Sequence, residues 1–218
     1  MTLSQRLRMD ASDIWDKIFS HPFVLELYSG SLPLEKFKFY AVQDYNYLVT
    51  MYKCLSLLAS KAEPDIARFI LEMAYIDASI EMDNYKKLLE SLNLNIEDVI
   101  GREPAPTNRA YMDFLLSTCA TGTLLEGLVA ILPCFWSYLE IAENNKSLLL
   151  QNKVRLYREW AEVYLKEEYR DIVQRLRETV DDLWDGTYYE KYRKIFLLGS
   201  KYEYLFWDMA YNMEKWKI

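Results

Sequence analysis

The sequence predicts an all-α protein, a bundle of long helices in a single domain. Three observations carry this. Apolar residues recur at spacings of three and four almost from end to end, as amphipathic helices require. Only six glycines and six prolines occur in 218 residues, too few for the many turns of an all-β fold. No Ser- or Gly-rich linker divides the chain, so residues 1–218 are expected to form one unit.

In chain order, the spacing places helices at about 3–20, 34–60, 65–92, 108–119, 122–142, 147–165, 168–183 and 188–214. Pro33 and Pro64 stand where a first helical turn tolerates proline. Asn95 with Asp98, and Thr187 with Glu190, have the spacing of N-terminal capping boxes. The longest loop is expected at Gly101–Pro106. The most apolar stretch, Gly127–Leu139, is flanked by Glu126 and Glu140. It falls short of the roughly 20 residues a membrane span needs and reads as a buried helix.

The formal charge of −7 argues against a nucleic-acid partner, which demands clustered Lys and Arg. Lys191, Arg193 and Lys194 form a local basic face that reads as solvated surface. Three cysteines, Cys54, Cys119 and Cys134, cannot all pair within one chain, and no signal-like segment opens the sequence. The compartment is therefore expected to be cytoplasmic, with reduced thiols. Eighteen tyrosines suggest a pocket walled by flat faces that can also hydrogen-bond.

A single histidine, His21, excludes the Glu-x-x-His pairs of di-iron bundles and the usual zinc hydrolase patterns, so no metal site is expected. His21 precedes Pro22 and reads as a capping residue. Haem ligation by it is a competing reading.

Pro133 is expected to remove the hydrogen bond to the Val129 carbonyl and to kink the helix just before Cys134. Such irregularity can turn a side chain into a cavity. Tyr138 lies four residues on, on the same face, where its phenol could raise the thiolate fraction of Cys134. From this segment alone, a buried cysteine beside a tolerated proline remains the alternative.

Tyr40, Asp44, Tyr47 and Met51 make one continuous helical stripe, and a carboxylate within an aromatic stripe is costly if buried unpaired. Asp44 lies either there or at a solvated edge. Glu203 poses the same question, aligned with Phe206, Trp207 and Gly199, which would leave room beside it. Apolar surroundings would push its pKa up, as suits a proton donor near neutral pH. Tyr111 and Tyr164 add phenols on two further segments.

Taken together, the ordered segments resemble the TenA (thiaminase II) family. The likeness runs from His21-Pro22-Phe23-Val24 and Gly30-Ser31-Leu32-Pro33 to Gln43-Asp44-Tyr45-Asn46-Tyr47-Leu48. It continues through Pro106-Thr107-Asn108-Arg109-Ala110-Tyr111, Pro133-Cys134-Phe135-Trp136-Ser137-Tyr138 and Trp160-Ala161-Glu162-Val163-Tyr164. It closes at Tyr202-Glu203-Tyr204-Leu205-Phe206-Trp207-Asp208-Met209-Ala210. Each block is weak; the ordered set is specific.

The resemblance implies a haem-oxygenase-like helical bundle over residues 1–218, a homotetramer without cofactor. It also implies cysteine-dependent hydrolysis of 4-amino-5-aminomethyl-2-methylpyrimidine, with thiamin as a further substrate, to the hydroxymethyl compound of thiamin salvage. On that resemblance Cys134 is the nucleophile and Glu203 the acid facing a pyrimidine nitrogen. Asp44 holds the amino and ring nitrogens, and Tyr47, Tyr111, Tyr138 and Tyr164 orient ring, cysteine or water. Tyr85 stands where many relatives carry histidine. A non-catalytic pyrimidine- or thiamin-binding protein on the same fold is the rival reading.

Overall fold

The computed structural model describes residues 1–217, and among these there are helices and no strand. The helices are α1 (Leu3–Asp10), α2 (Ser12–Phe19), α3 (Pro22–Ser29), α4 (Leu34–Ala59) and α5 (Pro64–Ile76). Then follow α6 (Met82–Ser91), α7 (Ile96–Val99), α8 (Pro106–Thr121) and α9 (Leu124–Asn144). The chain ends with α10 (Lys146–Gln151), α11 (Arg155–Glu162), α12 (Glu167–Asp182) and α13 (Tyr189–Asn212). A π-helical turn, Asp77–Glu81, joins α5 to α6, and a 3-10 turn, Val163–Leu165, follows α11.

The expected all-α bundle is therefore present, with α9 at its centre. This helix has the length and hydropathy of a membrane span, but 78% of that window is buried inside the fold. It packs against α13, α12, α8, α4 and α2. Thr123 and Glu126 cap its start reciprocally, and it runs as one helix through Pro133. A methyl group on Gly199 of α13 would stand 3.0 Å from Pro133 Cγ and 3.1 Å from the Ala130 carbonyl oxygen. The room beside Gly199 is thus filled by α9 itself, not kept for Glu203.

Several boundaries differ from the sequence reading, each for a local reason. The first helix breaks at Ala11. Ser4 binds Asp181 of α12 through its backbone N–H (2.6 Å) and its hydroxyl (2.9 Å), while α2 turns onto α13 and α9. The two turns of α3 are too short for periodicity to reveal. His21 caps them, its Nδ1 accepting from the Phe23 N–H at 3.1 Å, so the capping reading of His21 holds. Helix α3 ends at Gly30, left-handed with φ 84°, where any Cβ would strike Asn152 Oδ1 at 2.4 Å.

Asn152 also explains the break between α10 and α11. Its buried amide donates to the Leu27 and Tyr28 carbonyls at 2.9 and 3.1 Å and accepts from the Val154 N–H at 2.8 Å. The Asn95–Asp98 capping box forms. The Thr187–Glu190 box does not. Thr187 bonds instead to Asp185, and α13 begins from Tyr188 in left-handed geometry.

Lys191 pairs with Glu126 at 2.8 Å and Arg193 with Asp10. Cys54 and Cys119 are free and fully buried, as core residues.

Candidate active site

A cavity of about 300 Å³ opens between α4, the π-helical turn, α6, α9, α11 and the start of α12. The stripe Tyr40–Asp44–Tyr47–Met51 faces it along its whole length, which resolves the position of Asp44: the carboxylate points into the cavity, not to an outer edge. Cys134 and Tyr138 enter from α9 and Tyr164 from the 3-10 turn. Five of the seven predicted site residues thus line one cavity.

The other two, Glu203 and Tyr111, stand behind it. Glu203 is 2% exposed. It accepts hydrogen bonds from the Tyr111 hydroxyl and, at 3.4 Å, from the Ser137 hydroxyl. Tyr111 in turn accepts from the Tyr47 hydroxyl at 3.4 Å. Tyr202, stacked on Tyr111 at 5.1 Å and 9°, fixes that ring. The start of α8 is tied to α4 because Gln43 accepts from the Ala105 N–H and the Asn108 amide. An unbroken chain of phenols therefore leads from the cavity to Glu203.

Burial sets the electrostatics. Desolvation, then the charges of Glu81 and Glu203, push the Asp44 carboxyl up to about 7. Desolvation also pushes Glu203 up to about 7, against the hydrogen bonds of Tyr111 and Ser137. The Cys134 thiol lies well above its usual range through burial and the Glu203 charge, while Tyr47 pulls it back down. Among the phenols, Tyr47 is the one that draws the thiol down. Tyr138 is turned away to Tyr40, their hydroxyls 3.2 Å apart, and its ring packs on Tyr164 at 4.9 Å.

Sequence reasoning missed Asp77 and Glu81, both of which line the cavity from the π-helical turn. A signal for them existed. Ile70, Met73 and Ala74 are buried on α5, and positions 77 and 81 continue that face at helical spacing. Two acids on an apolar face pose the puzzle that singled out Asp44. Tyr85 also lines the cavity, its hydroxyl donating to the Ala41 carbonyl at 2.7 Å. No group of three metal-ligating side chains occurs among the described residues. His21 does not line the cavity, so it offers no ligand for haem there.

Fold and site together define a helical bundle of the haem-oxygenase-like type, enclosing an aromatic pocket with a cysteine and several acids. The chain matches the TENA/THI-4/PQQC family over residues 8–213 and belongs to it. It is 31% identical over 220 residues to the aminopyrimidine aminohydrolase of Halalkalibacterium halodurans, covering 99% of this chain and 98% of that one. A TenA homologue from P. horikoshii OT3 superposes with a TM-score of 0.95 at 49% identity, over 97% of this chain and 99% of that one. A haem-oxygenase-like domain from Shewanella denitrificans OS217 aligns at TM-score 0.79 and 14% identity, over 96% and 92% of the two chains, a likeness of fold alone.

Proposed function

We propose that the protein is a thiamin-salvage hydrolase that converts 4-amino-5-aminomethyl-2-methylpyrimidine to its hydroxymethyl counterpart, with thiamin as a further substrate. One observation carries the reading: Cys134, Asp44 and Tyr47 meet at a single cavity, with Glu203 joined to it through two phenols. The name of the H. halodurans relative, aminopyrimidine aminohydrolase, supports the same substrate class.

In this mechanism Asp44 binds the amino and ring nitrogens, and Tyr138 and Tyr164 pack on the ring. Cys134 rests as a thiol, because burial raises it. Its proton passes through Tyr47 and Tyr111 to ionised Glu203 as sulfur bonds to C6. A ring nitrogen takes a proton from neutral Asp44 in the same step. The dearomatised ring then expels the amine, or the thiazole of thiamin, from the C5 methylene. Water adds to that carbon and loses a proton to solvent, the ring nitrogen returns its proton to Asp44, and the thiolate, expelled as aromaticity is restored, recovers its own from Glu203. The covalent intermediate divides one hard displacement into easier steps.

The same reading carries a homotetramer in the cytoplasm. Exposed Leu71 and Tyr75, neighbours on one face of α5, support subunit contacts.

The test is product release from the aminomethyl-pyrimidine and from thiamin, comparing wild type with Cys134→Ser. Cleavage that disappears with the thiol is expected. Near-normal turnover by the serine variant would overturn the mechanism. Tight pyrimidine binding without any turnover by wild type would leave a binding protein instead.

A further inference from the structure

Asp77 has no task in the chemistry above, yet it is the least explained polar group in the cavity. It is 8% exposed and lines the wall from the π-helical turn. Its Oδ2 is buried and lacks a hydrogen-bond partner among the described residues. The charges that act on it, those of Glu81 and Asp44, are both negative. A buried carboxylate without donor or cation is expensive. The preceding positions on the same face, Ile70, Met73 and Ala74, are apolar, so packing alone would have been served by another apolar side chain. π-helical turns of this kind recur at functional sites. Glu81 lines the cavity four residues on, with Lys166 drawing its pKa back down.

A group that fits this place is positively charged and carries N–H donors. Under the pyrimidine reading, on which this inference rests, the substrate supplies one. The aminomethyl nitrogen is an alkylammonium at neutral pH, whereas the hydroxymethyl product is neutral at the same atom. We infer that Asp77, with Glu81 beside it, forms the subsite for the positively charged group on the substrate's methylene carbon.

Held as ammonium, the nitrogen keeps its proton until the C–N bond breaks. It then leaves with the bonding electron pair as neutral ammonia, and the product that takes its place no longer carries the charge that Asp77 binds. A thiazolium ring has no N–H to donate, so for thiamin the same carboxylate acts by charge alone. Asp77 is therefore a specificity residue for amine over thiazole, and it favours release of the neutral product.

The experiment measures binding by calorimetry in a Cys134→Ser background, which stops turnover. The ligands are the cationic aminomethyl-pyrimidine, the neutral hydroxymethyl-pyrimidine and thiamin. Asp77→Asn is expected to weaken the aminomethyl compound by about 10-fold or more, as loss of a charge-assisted hydrogen bond does. Thiamin should weaken less, and the hydroxymethyl compound by roughly 2-fold at most. Glu81→Gln should give the same order with smaller losses. Equal losses for the charged and neutral pyrimidines, or none for either, would overturn the subsite while the pyrimidine site stands. If the parent variant binds none of the three, the pyrimidine reading falls and the subsite with it.

Should Asp77→Asn fail to fold, the parent variant still decides. Binding of the cation near pH 7 must release more protons than binding of the neutral compound, because the cation ionises Asp77. Equal release would overturn the subsite.

Discussion

Gly199 of α13 lies against Pro133 of α9, so close that a methyl group on the glycine would stand 3.0 Å from the proline Cγ. The contact matters because each helix carries a group of the proposed chemistry close by. Cys134 follows Pro133 directly, and Glu203 stands one turn beyond Gly199. The separation of sulfur and carboxylate is therefore set where these two helices touch.

Replacing Gly199 by alanine should destabilise the protein. Inside an ordinary helix this change gains about 1 kcal/mol. Here the new Cβ also meets the Ala130 carbonyl oxygen at 3.1 Å, a backbone atom that cannot swing aside. Overpacking of this kind costs about 1–3 kcal/mol, a net loss of up to about 2 kcal/mol after the helix gain, which in a chain of this size lowers the melting temperature by up to roughly 8 °C. Thermal denaturation checks it, and a rise in melting temperature would show that the helices part without penalty.

His21→Ala tests the other end of the architecture. The histidine caps α3 through Nδ1, and its Nε2 lies 3.7 Å from Asp208. Burial lowers its pKa, with Asp208 opposing. Loss of the cap should cost about 1 kcal/mol, read as a small drop in the denaturation midpoint. Haem added to the wild-type protein should keep the Soret band of free haem, without the shift that histidine ligation brings, since the sole histidine is committed to the fold. A shifted Soret band that reverts to that of free haem in His21→Ala would overturn that assignment.

Much of this was legible in the sequence, because helical periodicity carries over directly into which side chains share a face. The stripe from Tyr40 to Met51 faces the cavity as its spacing requires. The places where the reading failed are governed by contacts between distant segments. Nothing near Asn152 announces that its amide will seek the carbonyls of residues 27 and 28 and break a helix to reach them. Gly199 offered space on paper, but the space belongs to a proline 66 residues earlier in the chain. Asp77 and Glu81 differ, since the periodicity that exposed Asp44 would have exposed them too.

Stability should fall as pH rises through neutrality in the ligand-free protein. Asp44 and Glu203 are pushed up to about 7 and Asp77 to about 8 in the fold, from unfolded values near 4. Between pH 4 and 8 the native state therefore holds more protons than the unfolded chain, and the slope of stability against pH is negative there. His21 opposes this below about 6.5, where the unfolded chain binds the extra proton, but it is one group against four, since burial raises Glu81 as well. Carboxyls depressed by partners, such as Asp10 and Glu126, act below pH 4.5 and leave the window untouched. Unfolding free energies from urea denaturation at pH 5, 6.5 and 8 should decline, by on the order of several kcal/mol in total. Asp77→Asn should flatten the decline, and a curve rising to pH 8 would refute it.

The phenol chain makes the sharpest demand on kinetics. If Glu203 accepts the thiol proton through Tyr111 and Tyr47, it must be ionised to act, whereas Asp44 must be protonated to donate. With both near 7 in the free protein, kcat/KM should follow a bell centred close to neutrality, its rising limb set by Glu203 and its falling limb by Asp44. Glu203→Gln should lower kcat by roughly 100-fold or more and erase the rising limb of kcat/KM. Tyr47→Phe interrupts the chain at the cavity wall while keeping the ring, so kcat should fall by about 10-fold or more, with pyrimidine affinity little changed. Stopped-flow turnover across pH 5–9 measures both. A Tyr47→Phe enzyme with normal kcat would mean that the thiol proton leaves by another route, and Glu203 would then have to act on the ring directly.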